Sequence, residues 1–310
     1  MKNATKKQKP PKVARKLALA LAKAGAKGQV KKLAAMLKAI ESAGDAGKPG
    51  TWEYYARRFR LWLAGGMTGE TPFSIFRASG NKKLPFFTFS SLPGFDCPGK
   101  GDCLFWCYSF KAWRYPAAFF RQLQNSMLLR SKHGRQIVLL AWREIPANRT
   151  VRLYVDGDFY SASALRFWMK ACQERNDLRV YGYSKSWELF LQLEKARFAW
   201  PENYTLNLSS GSKYGKETGK RIARLACVRG DFIAVPVAQK HIANKAYQDK
   251  ANPGSKEYRR EVLGKLAEIT SGKRFACPGN CGNCMPNKEH ACDSETMAGV
   301  TIGIGIHAQG

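Results

Sequence analysis

Acid is scarce in this chain. Asp and Glu number 23 against 52 Lys and Arg, which leaves a formal charge of +29 on 310 residues. Excess positive charge of that size attracts polyanions: DNA and RNA first, anionic membrane surface next. Long apolar runs are also missing. No stretch approaches the roughly 18–20 apolar residues of a spanning helix, so no membrane span is expected. "LALALA" (17–22) follows a Lys-rich start, as the apolar part of a signal peptide would. It is shorter than the usual run of about 7–15 residues, and Lys23, Lys27, Lys31 and Lys32 follow it directly. The expected compartment is therefore the reducing cytoplasm, where cysteine clusters more often mean metal than disulfide. The four histidines, His133, His241, His290 and His307, match no helical metal motif. No Walker loop, GxSxG or HExxH occurs, which disfavours ATPase, hydrolase and zincin classes. The His-hydrophobe-His motif of rolling-circle nickases is absent as well.

What is present is 45% hydrophobic, enough to bury a sizeable core in one large domain or two modest ones. The charge is uneven. Residues 1–49 hold 13 Lys/Arg against Glu41 and Asp45, a net of +11. Val30, Leu33, Met36, Leu37 and Ile40 recur at helical spacing, and Gly25 and Gly28 break the pattern into two pieces. "AGDAGKPG" (43–50) reads as a linker. The segment is expected to be a basic helical tail: a solvated, partly disordered stretch, or an arm that neutralises phosphates without reading sequence. "TWEYYARRFRLWL" (51–63) is a helix that packs on the body. The expected organisation is a tail and linker over 1–50 and an α/β core over 51–310.

Four segments read as buried strands, each followed by a helical stretch: "RLYVD" (152–156), "RVYGYS" (179–184), "YTLNLS" (204–209) and "FIAVPV" (232–237). Strands alternating with helices predict repeated βα units in a parallel sheet, open or closed into a partial barrel. "FFTFSS" (86–91) is an earlier strand and "VTIGIGI" (300–306) a last one, while 114–145 reads as mainly helical. Ligands bind beyond the carboxyl ends of such strands. Here those ends read "DGDFYS" (156–161), "SKSW" (184–187), "SSGSK" (209–213) and "AQKH" (238–241). Asp156 and Asp158, at i and i+2 on extended chain, face one side and can bind a divalent metal or share acid–base work. If strand cleavage is the reaction, Tyr160 or Ser161 is the candidate nucleophile. Lys185, Ser184 and Ser209 stand at neighbouring strand ends, and the Lys185 ammonium is a candidate cation between the carboxylates. The competing reading is turn chemistry, with Asp158 or Ser161 capping the next helix.

Cysteine occurs in two groups. Cys277, Cys281, Cys284 and Cys292 are spaced C-x3-C-x2-C-x7-C, with Pro, Gly and Asn between them that let the chain wrap an ion. Cys97, Cys103 and Cys107 are spaced C-x5-C-x3-C, one thiolate short of a closed site. Either a residue elsewhere completes that group or its fourth position is open. His290 lies inside the late group, where solvent exposure is expected in preference to ligation. Cys172 and Cys227 sit in apolar helical surroundings and read as core. Zinc and iron–sulfur both fit. The aromatics in "LFWCYSF" and the two separate groups favour an iron–sulfur cluster of the 4Fe–4S kind.

"CPGKGDCLFWCYSF" with "RYP", "VDGDFYS", "YGYSKS" and the terminal cysteines together resemble the phage gene product 88 family, found on phages and other mobile elements. The resemblance covers roughly residues 85–292 and none of the tail. It implies a bacterial mobile-element protein with metal-binding cysteines. More distantly, βα units after a Cys triplet are similar to radical S-adenosylmethionine enzymes. Their triplet is C-x3-C-x2-C, whereas the early triplet here is spaced 5 and 3; the late one, Cys277, Cys281 and Cys284, has that spacing but follows the βα repeat, with Asn283 before its last Cys. Three functions stay open. One is a metal-cluster nucleic-acid protein of a phage or plasmid acting in replication, transfer or processing, with DNA preferred over RNA. The second is a radical enzyme or its inactive descendant. The third is a zinc-stabilised DNA-binding module without catalysis.

Overall fold

A computed structural model describes residues 12–78, 84–243, 253–279, 281, 284–285 and 290–306. The chain begins with three helices, α1 (Lys12–Ala26), α2 (Val30–Glu41) and α3 (Trp52–Ala64). The side chain of Thr51 caps α3 by accepting from the Tyr54 amide. These helices do not stand off as a solvated arm. Leu21, Ala22, Leu33, Leu37 and Phe59 are fully buried in the main core. The apolar stripe along α1 and α2 is wide enough to pack, and its lysines remain on the outer face. Gly25 permits the close approach of α1 to a later helix: a Cβ there would meet Leu123 at 2.3 Å. Glu41 ties α2 to α3 through Arg60 at 2.6 Å.

Seven strands form one parallel sheet: β1 (Phe87–Thr88), β2 (Thr150–Leu153), β3 (Arg179–Ser184), β4 (Tyr204–Ser209), β5 (Val228–Val235), β6 (Arg274–Ala276) and β7 (Thr301–Gly305). Their order is β1-β2-β3-β4-β5-β7-β6. β1 and β6 are edges, so the sheet is open. Between β1 and β2 lie α4 (Cys103–Trp106), α5 (Pro116–Leu129) and α6 (Lys132–Arg143). After β2, β3 and β4 come α7 (Ala162–Glu174), α8 (Trp187–Lys195) and α9 (Lys216–Ile222). β5 is followed by α10 (Gln239–Ala243) and α11 (Pro253–Ala267). Sequential order among the first five strands puts their crossovers on one side.

The two faces of the sheet differ. Val151, Leu153, Val180, Leu206 and Leu208 point to the helices and join Trp142, Trp168 and Phe190 in the main core. Each such burial is worth about 1.5–3 kcal/mol. The alternate positions, Arg152, Tyr181, Tyr183 and Asn207, face the other way. A second apolar cluster of Phe86, Tyr181, Met297, Val300 and Ile302 covers part of that face, and Cys277, Cys281, Cys284 and Cys292 belong to it. Four strands differ from the expected limits. β1 keeps only Phe87–Thr88 of 86–91, β2 is Thr150–Leu153 in place of 152–156, β5 is Val228–Val235 in place of 232–237, and β7 is Thr301–Gly305 within 300–306. β6 was not expected at all.

Candidate functional site

The early cysteine loop is wedged onto the strand ends by glycine. A Cβ on Gly99 would lie 1.7 Å from the Lys185 carbonyl oxygen, and one on Gly101 would lie 2.7 Å from the Lys213 nitrogen. Gly211, at φ +74, lets the β4 end pass under Cys103. The amides of Gly101 and Cys103 both donate to the Gly211 carbonyl, at 3.1 and 3.2 Å. Ahead of the loop, the carboxylate of fully buried Asp96 accepts from the Leu92 amide at 3.0 Å and from Arg130 at 2.5 Å. Arg130 also donates to the Ala26 carbonyl and stacks over the Tyr160 ring. The loop is thereby tied to α5 and to α1.

Asp156 and Asp158 are held by separate sets of partners. Gly157 has φ +82 and reverses the chain, so the i, i+2 alternation of a strand does not apply. Asp158 is 3% exposed and accepts four hydrogen bonds. Its donors are the Phe159 amide (2.8 Å), the Ser184 hydroxyl (2.8 Å), the Lys185 amide (2.9 Å) and the Ser186 hydroxyl (2.9 Å). Burial raises its pKa and these donors pull against that rise. One amide, which can only donate, is bound to each of its two oxygens, so both oxygens serve as acceptors. Its role is to fix the β3–α8 turn on which Gly99 rests. Asp156 accepts from Ser90 at 3.2 Å and Gln122 at 3.0 Å, and burial raises its pKa. The Lys185 ammonium is not between the carboxylates. It donates to Ser209 at 2.6 Å and sits over the Trp106 ring.

Other expected site residues lie apart. The Tyr160 hydroxyl donates to the Leu129 carbonyl at 2.8 Å on the helix side, far from a nucleophile's position at the strand ends. Ser161 caps α7, accepting from the Ala164 amide at 3.2 Å. Ser184 is buried and spent on Asp158. Cys172 and Cys227 are core, with burial raising both pKa values, that of Cys227 to about 12. His290 is half-buried with its ring edge-on to Phe86 at 4.9 Å, not solvated. His241 pairs with Glu261 at 2.5 Å. His307 lies outside the described residues.

The late cysteines reach the same end of the sheet from the other side. Cys277 directly follows β6, and its amide donates to the Gly303 carbonyl at 2.7 Å. Two sheet residues that sequence reasoning missed hold the connection to β7. Buried Arg229 donates to Asn207 at 2.6 Å and to the carbonyls of Met297 and Val300 at 2.8 and 2.7 Å. Asn207 donates to the Cys292 carbonyl at 2.8 Å. Arg152 was missed too, although its position between Val151 and Leu153 in β2 already sets it on the opposite face. Its guanidinium stacks over Tyr183 at 4.5 Å, and its Nε has no partner among the described residues.

These groups enclose one cavity of about 720 Å³ at the carboxyl edge of the sheet. Cys97, Cys103, Cys107, Cys277 and Cys281 line it, as do Asp156, Asp158, Lys185 and Ser209. A shallower hollow of about 410 Å³ on the helix side, bordered by Arg135 and Arg166, holds none of the cysteines. None of the nine cysteines is joined in a disulfide. Among the described residues, no three His, Cys, Asp or Glu side chains are already drawn together as a metal's donors. The donor chemistry nevertheless fits a thiophilic centre. Burial raises the Cys292 pKa, and neighbouring Cys277 and Cys281 raise it further. Burial likewise raises that of Cys107, with Cys103 adding to it. A cation held among such thiols would reverse that shift.

Fold and cavity define a class: an open parallel α/β protein whose strand ends enclose a basic, thiol-lined space. Within it, the chain belongs to the gene product 88 family, whose model matches residues 68–297. The match begins after α3 and takes in both cysteine groups. No curated protein and no solved structure matches.

Proposed function

We propose that this protein is a metal-cluster protein of a phage or plasmid that binds nucleic acid, DNA in preference to RNA, and acts in its replication, transfer or processing. The cavity carries this reading. Five cysteine side chains share it with seven Lys or Arg side chains and only two carboxylates. Such a space suits an anionic ligand beside a thiophilic metal. Cys97, Cys103 and Cys107 would hold an iron–sulfur cluster of the 4Fe–4S kind with one position open. Cys277, Cys281, Cys284 and Cys292 supply four thiolates, enough to close an iron–sulfur or a zinc site. An iron–sulfur cluster supplies electron transfer, and an open iron supplies a ligand-binding position. Arg152 and Lys185 then stand ready to hold anionic groups, and Asp156 to accept a proton.

Purification without oxygen tests the metal: the protein should be brown and contain iron and sulfide. Cys281→Ser and Cys284→Ser should lose metal, and Cys172→Ser should keep it. A colourless, zinc-only protein would remove iron–sulfur, and full metal content in the Cys284 variant would overturn the ligand assignment. Binding of an arbitrary oligonucleotide that weakens steeply with salt tests the partner.

A second reading is a radical S-adenosylmethionine enzyme or its inactive descendant. What favours it is the position of the early triplet, directly after β1, the first strand of a parallel sheet of βα units. Reduced protein incubated with S-adenosylmethionine should then release methionine and 5′-deoxyadenosine. No release in the presence of an intact cluster leaves the first reading alone.

A further inference from the structure

At the mouth of the cavity, the segment after Cys103 exposes apolar surface that no packing explains. Phe105 is 79% exposed and Tyr115 63%, with Leu104 and Tyr108 also open to solvent. Both rings stand on fixed backbone. Phe105 lies within α4, beside Cys103 and Trp106. Tyr115 precedes Pro116 at the start of α5, and its carbonyl accepts from the amides of Ala118 and Phe119. One turn and two turns along α5 from Tyr115, Ala118 and then Arg121 and Gln122 line the cavity wall, so this face of the helix leads inward.

Cations accompany the rings. Arg114, Arg77 and Arg121 line the same mouth. Arg77 is pinned by paired backbone hydrogen bonds to Thr88, and Arg121 donates to the Ser74 carbonyl at 3.1 Å. Burial lowers the pKa of Arg121, and the nearby Arg77 lowers it further. None of the ion pairs among the described residues involves these three arginines. Two guanidiniums held together without a carboxylate make a place for an anion. Aromatic faces interleaved with such cations match the way single strands are held, with bases stacked and phosphates neutralised. A duplex keeps its base faces hidden, so it has nothing to offer these rings.

We propose that residues 104–121, with Arg77, form a docking strip for single-stranded nucleic acid, with bases stacked on Phe105 and Tyr115, phosphates on Arg77, Arg114 and Arg121, and the strand directed into the thiol-lined cavity. The proposal rests on the nucleic-acid reading above and names its form and its path. A ring at such a platform contributes enough that its loss weakens single-strand binding about tenfold. Each arginine removed should lower the salt slope by about one unit.

The test is fluorescence anisotropy of the intact protein with a short labelled single-stranded DNA of mixed sequence, and with the duplex of the same sequence. Phe105→Ala and Tyr115→Ala should each weaken the single strand about tenfold and leave the duplex unchanged. Phe105→Tyr should restore binding, and thermal midpoints should stay at the wild-type value because both rings are exposed. Arg77→Gln with Arg121→Gln should flatten the salt dependence. If wild-type protein binds neither probe at low salt, the nucleic-acid reading fails and the strip with it. If it binds both but the alanine variants hold the single strand as tightly as wild type, the strip alone is overturned. Loss of self-association or of binding to anionic vesicles in those variants, at unchanged affinity for DNA, would overturn it equally and reassign the surface.

Discussion

The two cysteine segments open with the same three residues, Cys-Pro-Gly, and are held in opposite ways. The early one is wedged: backbone lies against backbone at Gly99, Gly101 and Gly211, with no room for a Cβ. The late one is hung. Its connection to β7 is fastened by two side chains, Arg229 and Asn207, that reach out of the sheet to its carbonyls. A wedged loop keeps its shape without a ligand. A hung one depends on polar side-chain bonds and, in our reading, on a metal. The early group is thus built as part of the frame, and the late group as a cover over its open face.

The largest effect should come from breaking the wedge. Gly99→Ala drives a methyl to 1.7 Å from the Lys185 carbonyl oxygen, and both partners are backbone. Neither can rotate away, so we expect a loss of more than about 4 kcal/mol, in the range reserved for gross disruption. Urea unfolding or soluble yield reads this out. A Gly99→Ala protein within about 1 kcal/mol of wild type would show that the loop is not wedged.

The hanging should break more gently. Arg229→Leu leaves Asn207 and the carbonyls of Met297 and Val300 without their buried donor. A cost of about 3 kcal/mol follows from orphaning buried acceptors. Apolar replacement removes the buried charge at the same time, which keeps the loss below that of the wedge. The expected signature is a lower unfolding free energy with the metal content of the early group retained. Equal loss of metal from both groups would erase the distinction between frame and cover.

Much of this frame was legible and much of its fastening was not. β3 and β4 begin and end where their β-branched and aromatic runs do. The helical spacing of Leu33, Leu37 and Ile40 marked the apolar face of α2, but periodicity cannot tell whether such a face meets a partner. β6 was hidden because its three residues, Arg274–Ala276, run straight into the late cysteines and show no alternation. The carboxylate pair stood out, and its arrangement turned on Gly157, where the turn reading of Asp156-Gly157 holds and Ser161 caps the next helix. Arg229 and Asn207 carried no signal because their partners are carbonyls far away in the chain.

A subtler break separates the two carboxylates of the early side. Asp158 supports the turn beneath Gly99 with four accepted hydrogen bonds. Asn in its place offers one oxygen and turns an amide donor toward the Lys185 amide, which cannot reorient. We expect Asp158→Asn to cost about 2 kcal/mol. Asp156→Asn keeps the acceptor that Ser90 and Gln122 use, so it should be nearly neutral for stability at acidic pH while changing whatever the cavity does. A stable Asp158→Asn protein would return that residue to the ordinary chemistry of turns.

The smallest effect is a slope. Burial raises the pKa of Asp156 above its unfolded value of about 3.9, against the pull of Ser109, Ser90 and Gln122. Between the unfolded and folded values the native state binds more protons than the unfolded chain, so stability falls as pH rises through that window. Below the window both states are protonated and above it both are ionised, so the contribution is flat on either side. Asp158 and Asp231 are raised by burial as well and add the same sign. Glu41, whose hydrogen bond from Arg60 lowers its pKa, adds the opposite sign. Total stability against pH therefore mixes these groups, and the difference between wild type and Asp156→Asn isolates one. That difference should favour the variant progressively as pH rises from about 4 through the raised folded value and then level off, measured by urea unfolding at each pH. Parallel curves would mean that Asp156 is as well solvated in the folded protein as in the unfolded chain, and that the cavity wall does not desolvate it.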